Sequence, residues 1–143
     1  MFKRIIAIVS VVLIIISFEA VLVNAIEFDE PVDDECDISE YENIINHVFH
    51  LYSAGTKANI IIRIDGKSSV KFKNGVLKLY KNVNGSWTPI KTWSNLSSST
   101  SIFILNDNSV SIQNGSLYKA KLTITAYNSS TNEPITLSTT NTL

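Results

Sequence analysis

The chain has 143 residues, a formal net charge of −1 and one cysteine. A single thiol excludes an internal disulfide framework, and the length suits one domain with its own hydrophobic core. The near-neutral total hides a strongly uneven distribution of charge along the chain.

Met1-Phe2-Lys3-Arg4 is basic, and Ile5 to Phe18 is almost entirely apolar. Val23-Asn24-Ala25 then offers small or apolar residues at the −3 and −1 positions of a cleavage site. Residues 1–25 therefore read as a secretory signal peptide cut after Ala25. An uncleaved membrane anchor is the alternative, but the apolar run ends before Glu19, short of the ~20 residues a span needs. The expected location is outside the cell or at its surface, with membrane contact only through the signal peptide.

Residues 26–42 contain Glu27, Asp29, Glu30, Asp33, Asp34, Glu35, Asp37, Glu40 and Glu42 and no Lys or Arg. Self-repulsion, Pro31 and the shortage of buriable side chains predict a disordered or loosely docked leader. Cys36 lies inside it. Asp33-Asp34-Glu35 rule out a lipoprotein signal, and neighbouring carboxylates disfavour the thiolate. In an oxidising compartment Cys36 is either free or forms a Cys36-linked dimer.

Residues 43–53 fit two elements. As a helix, Ser39 and Glu42 make a capping box, Tyr41, Ile44, Ile45, Val48 and Tyr52 share a face, and Gly55 ends it. As a strand, Ile45, His47, Phe49 and Leu51 fall on one side, with imperfect alternation.

From Lys57 onward short β-rich runs are separated by turn chemistry. Strands are predicted at Asn59 to Ile64, closed by Asp65-Gly66, and as a short edge at Val70 to Phe72, closed by Asn74-Gly75. Val76 to Asn82 and Trp87 to Ser94 form a hairpin around Asn84-Gly85, with Pro89 marking an edge or a bulge. Leu96 to Thr100 reads as a Ser-rich loop. Ser101 to Leu105 is closed by Asn106-Asp107-Asn108, and a short Val110 to Ile112 piece ends at Asn114-Gly115. Leu117 to Tyr127 alternates most cleanly, and Pro134 to Thr139 closes the domain. Clean alternation implies antiparallel sheets, each with one wet face, and no segment is long enough for crossover helices. Residues 43–143 are thus expected to form an all-β, antiparallel, immunoglobulin-like β-sandwich of about seven strands.

Taken together, Leu79-x-Lys81-x-x-Asn84-Gly85-x-Trp87, Ile90-x-x-Trp93-Ser94 and Tyr118-Lys119-x-Lys121-Leu122-x-x-x-Ala126-Tyr127-Asn128-Ser129-Ser130 resemble a group of small secreted proteins of Gram-positive bacteria. Those proteins are a signal peptide plus one β-sandwich of uncharacterised function. Their first strand ends in a pattern similar to Phe49-x-Leu51-x-x-x-Gly55, which favours a strand over residues 43–53. The last two strands are also similar to the closing pair of fibronectin type III domains. The long acidic leader and the two histidines depart from the group. The resemblance implies fold and location and brings no catalytic residues. With a bacterial producer, the Asn-x-Ser sequons at Asn84, Asn95, Asn114 and Asn128 are turn composition.

Candidate chemistry is sparse. His47 and His50 on a strand point to opposite faces, which suits no single metal, and no other ligand pattern accompanies them. No metal or other cofactor is expected. No Gly-x-Ser-x-Gly is present, and only Asp65, Asp107 and Glu133 follow the leader, so an enzyme is not expected. Trp87 and Trp93, with Tyr80 and Tyr127, offer a stacking face. Equal parity along one strand would point both tryptophans the same way, unless a bulge at Pro89 intervenes; both are expected to pack. Lys71, Lys73, Lys78, Lys81, Lys91, Lys119 and Lys121 are the remaining candidates, Lys119 and Lys121 on one wet face and Lys71 and Lys73 on another. A lysine-rich, arginine-poor surface suits point-charge contact with polyanions. The expected function is a secreted, non-enzymatic binding module for an anionic cell-wall polymer or glycan rather than nucleic acid, with the acidic leader folding back on the basic sheet. The alternatives are a protein-targeted effector, such as a bacteriocin, toxin or inhibitor, or a structural extracellular component.

Overall fold

The computed structural model describes residues 38–143. The expected signal peptide, Cys36 and the acidic leader as far as Asp37 lie outside the described residues. After a short 3-10 turn at Ile38–Glu40 come seven strands: β1 (Ile44–Ala54), β2 (Lys57–Gly66), β3 (Lys71–Val83), β4 (Ser86–Ser98), β5 (Ile102–Ser111), β6 (Leu117–Tyr127) and β7 (Asn132–Thr142). They form two antiparallel sheets, ordered β1-β2-β5 and β4-β3-β6-β7.

The core comes from one side of each strand. Ile60, Ile62 and Ile64 of β2 are fully buried, as are Leu77 and Leu79 of β3, Ala120, Leu122 and Ala126 of β6, and nearly so Ile135 and Leu137 of β7. Removing each large side chain from water contributes about 1.5–3 kcal/mol. Phe72 of β3 and Phe103 of β5 meet across the two layers at 6.1 Å between ring centroids.

Residues 44–54 are a strand because Phe49 and Leu51 find Ile62 and Ile60 directly opposite on β2. The imperfect alternation has a physical source. A bulge between Ile44 and Asn46 leaves Ile45 60% exposed while Ile44 is buried.

Several predicted turns are absent, and the strands run through them. Asp65-Gly66 belongs to β2, and the chain turns at Ser69, with φ of 69°. Asn74-Gly75 lies inside β3, Asn106-Asp107-Asn108 inside β5, and β4 continues through the expected Ser-rich loop to Ser98. The turn-forming residues serve as bulges instead. Asn74 and Asn95 take φ of 56° and 60°, a left-handed conformation that Asn tolerates in either setting. Asn84 and Gly85, with φ of 53° and 84°, do make the expected tight hairpin of the primed type.

Candidate functional site

The outward face of β4-β3-β6-β7 gathers five of the ten basic side chains of residues 43–143. On β6 the period of two sends Tyr118, Ala120 and Leu122 inward and Lys119 and Lys121 outward. On β3 the same face needs a change of parity. Lys73 pairs with Thr125 and Val76 with Thr123, so β3 holds one extra residue there. Lys71 and Lys73 before the bulge and Lys78 after it therefore all face solvent. Gly75 makes this possible, since a Cβ there would sit 2.7 Å from Leu96 Cβ and 2.9 Å from the Leu96 carbonyl oxygen.

The result is a basic stripe along the two central strands. Lys119 lies opposite Tyr80, Lys121 opposite Lys78, and Lys71 opposite Tyr127. From Lys119 to Tyr127 the stripe runs about 27 Å at ~3.4 Å per residue. Thr136, Ser138 and Thr140 of β7 lie beside Thr123, Lys121 and Lys119, forming a rail of hydroxyls. Lys119 Nζ stands 5.8 Å from the Trp87 ring centroid, and Lys73 Nζ 4.4 Å from that of Tyr127. The Lys78–Lys121 pair sets like charges directly opposite one another, which disfavours the fold.

None of the carboxylates of residues 43–143 relieves it. Asp65 of the other sheet pairs with Arg63 at 3.0 Å. Glu133 Oε1 and Oε2 accept from the amides of Glu42 and Asn43 at 2.7 and 2.9 Å. Asp107 of β5 accepts from Trp93 Nε1 at 3.0 Å and from the Ser109 hydroxyl and amide at 2.6 and 2.9 Å. Burial pushes the Asp107 carboxyl up. These hydrogen bonds and the Lys91 ammonium outweigh it, and its pKa lies below the ordinary 3.8.

The two tryptophans do not share a face, and they do not both pack. Tyr80 pairs with Pro89 and Leu79 with Lys91, so Ile90 is an extra residue and parity reverses between the tryptophans. Trp93 lies opposite Leu77 and packs against the core. Trp87 lies opposite Asn82 and is 39% exposed. The same reversal separates the lysines. Lys91 stands over the Trp93 ring at 4.8 Å and donates to the Ser109 hydroxyl. Lys81 donates to Gln113 Oε1 at 2.6 Å. Lys71, Lys73, Lys78, Lys119 and Lys121 remain on the outer face.

His47 lies opposite inward-facing Ile64 and His50 opposite Ile61, hence on different faces of β1. Among the described residues no group of three or more His, Cys, Asp or Glu is placed to hold a metal ion. No described helix is long and apolar enough to cross a membrane.

One contact had no sequence signal. The Tyr41 hydroxyl donates to the Thr136 carbonyl at 3.0 Å and accepts from the Thr136 amide at 3.1 Å. It occupies the free edge of β7, where a neighbouring strand would otherwise bond. With the Glu133 contacts to residues 42 and 43, it fixes where the acidic leader meets the sandwich, beside the middle of the lysine stripe. Compared with protein-family models and with curated proteins, the chain matches none of them.

Proposed function

We propose that the chain is a secreted, non-enzymatic β-sandwich module that contacts an anionic cell-surface polymer through the outer face of β4-β3-β6-β7. The observation carrying this reading is the alignment of Lys71, Lys73, Lys78, Lys119 and Lys121 on one face, with Lys78 opposite Lys121 and no carboxylate of residues 43–143 beside them. A run of like charges costs stability, and a bound polyanion offsets that cost. Ammonium groups without guanidinium suit repeated point-charge contact, and the exposed Trp87 ring, with the half-buried Tyr127, adds surface on which a repeat unit can rest. A non-enzymatic role agrees with the dispersal of Asp65, Asp107 and Glu133, each held by structural partners.

An immunoglobulin-like lineage is supported by the sheet orders. The fourth strand pairs with the third, in the manner of fibronectin type III domains, rather than with the fifth. Secretion, and a Gram-positive producer, rest on the sequence of residues 1–25 and on the resemblance of the strand motifs.

The test is sedimentation of residues 26–143 with intact and teichoic-acid-stripped Gram-positive cell walls across a salt series. Binding that falls steeply with salt and with stripping is expected. No binding to intact walls at low salt would overturn the reading.

A protein-targeted effector is the second reading, favoured by the opposite face. There Ile104 is 64% exposed, and Tyr52 and Ile102 stand near 40% and 39%. Val48 and Ile104 both flank Arg63. Salt-insensitive inhibition of a partner protein, lost on Ile104→Asp, would select it.

A further inference from the structure

We infer that the acidic stretch Asp33-Asp34-Glu35-x-Asp37 docks on the lysine stripe as a tethered counter-ion and competes there with an external polyanion. The competition rests on the polymer-binding reading; the docking does not.

Three observations carry it. The first is charge. The stretch offers four carboxylates, and residues 26–42 contain no Lys or Arg to neutralise them internally. The stripe offers Lys71, Lys73, Lys78, Lys119 and Lys121, and the three carboxylates of residues 43–143 are all engaged elsewhere.

The second is attachment. Tyr41 holds both main-chain polar groups of Thr136, and Glu133 holds the next two amides. Asn43, itself buried, donates from its side chain to Thr131 and accepts at its carbonyl from the Lys67 amide. The leader thus joins the sandwich at a fixed point. Thr136 pairs with Thr123, and Thr123 with Val76, the uncharged row between Lys78–Lys121 and Lys73.

The third is reach. Lys121 lies one strand over and two residues along from Thr136, about 8 Å away, and Lys78 and Lys73 about 12 Å away. The five residues 33–37 span about 17 Å when extended, before the turn at residues 38–40 is added. Both halves of the stripe are within range. A tethered acid at that distance acts at an effective concentration in the millimolar range, enough to compete with weak contacts to a free polymer.

The experiment uses residues 26–143 and the variant Asp33→Asn/Asp34→Asn/Glu35→Gln/Asp37→Asn. Zero-length carbodiimide coupling of the monomer, mapped by mass spectrometry, reports the docking. Affinity for long-chain inorganic polyphosphate reports the competition. Expected are salt-sensitive cross-links from residues 33–37 to the five stripe lysines, and polyphosphate binding about tenfold tighter in the variant at low salt, converging with the parent at high salt. Cross-links spread equally to Lys57 and Lys67, with equal polyphosphate affinity in both proteins, would overturn the inference and leave the stripe as a polymer site. Cross-links to the stripe with no polyphosphate bound by either protein would uphold the docking and overturn the polymer reading.

Discussion

The Trp93 indole N–H donates to Asp107 Oδ2 at 3.0 Å and so joins β4 of one sheet to β5 of the other. No backbone hydrogen-bond ladder links these two strands, because each is an edge of its own sheet. Lys91 above the indole and Ser109 beneath the carboxylate complete a side-chain seam along this open flank.

The seam gives stability a pH dependence of known sign. Asp107 holds its proton less tightly when folded than its ordinary value of 3.8 implies. Its contribution is therefore present above that value and is lost as pH falls through the lower folded pKa. Asp107→Asn should lower the urea midpoint at about pH 6, and by less at a pH well below 3.8. An equal difference at both pH values would show that the carboxylate charge is immaterial.

Lys78→Gln separates binding from folding. Removing one member of the like-charge pair should raise unfolding stability by about 0.2–1 kcal/mol while weakening polyanion binding. Loss of both properties together would mean that Lys78 is structural. Thermal denaturation and wall sedimentation on the same sample decide it.

Gly75→Ala probes the bulge that builds the site. The added methyl would lie 2.7 Å from Leu96 Cβ, too close without movement of β3 or β4. A loss of about 1–3 kcal/mol is expected in denaturant titration. Unchanged stability would show that the β3–β4 pairing yields easily.

Tyr41→Phe deletes one hydroxyl and leaves the ring. The Thr136 amide and carbonyl lose a shared partner, at a cost of about 1 kcal/mol. Faster hydrogen exchange at the Thr136 amide is the specific readout, and unchanged exchange would show that solvent serves the edge equally well.

The architecture was legible where one face of a strand is dry and the other wet. β6 alternates from Tyr118 to Ala126 without interruption, and Asn84-Gly85 sits at the one Asn-Gly pair where the chain reverses between hydrogen-bonded strands. Asn74-Gly75 reads identically in sequence and does something different. A left-handed Asn serves a turn or a bulge equally, and the choice is made by Thr123 and Thr125 on β6, remote in sequence. The same gap hid the site. The faces of Trp87 and Trp93 depend on an extra residue at Ile90, and the resting places of Lys81 and Lys91 depend on Gln113 and Ser109. Nothing near Tyr41 announces Thr136. Lys119 and Lys121 were readable as solvent-facing because their own strand decides the matter.

The extra residue in β3 behaves like a frameshift. Lys71 and Lys73 are written in one phase of the strand and Lys78 in the other, and the bulge at residues 74–75 brings both phases onto one surface. Deleting a single residue there would rotate half the strand by a half-turn. It would turn Phe72 toward solvent and the two lysines toward the core, with no charge added or removed. The basic surface is thus a product of chain length at one point as much as of composition. Insertions and deletions at this bulge, rather than point substitutions, are the steps by which such a module would acquire or lose two of the five lysines of its charged face.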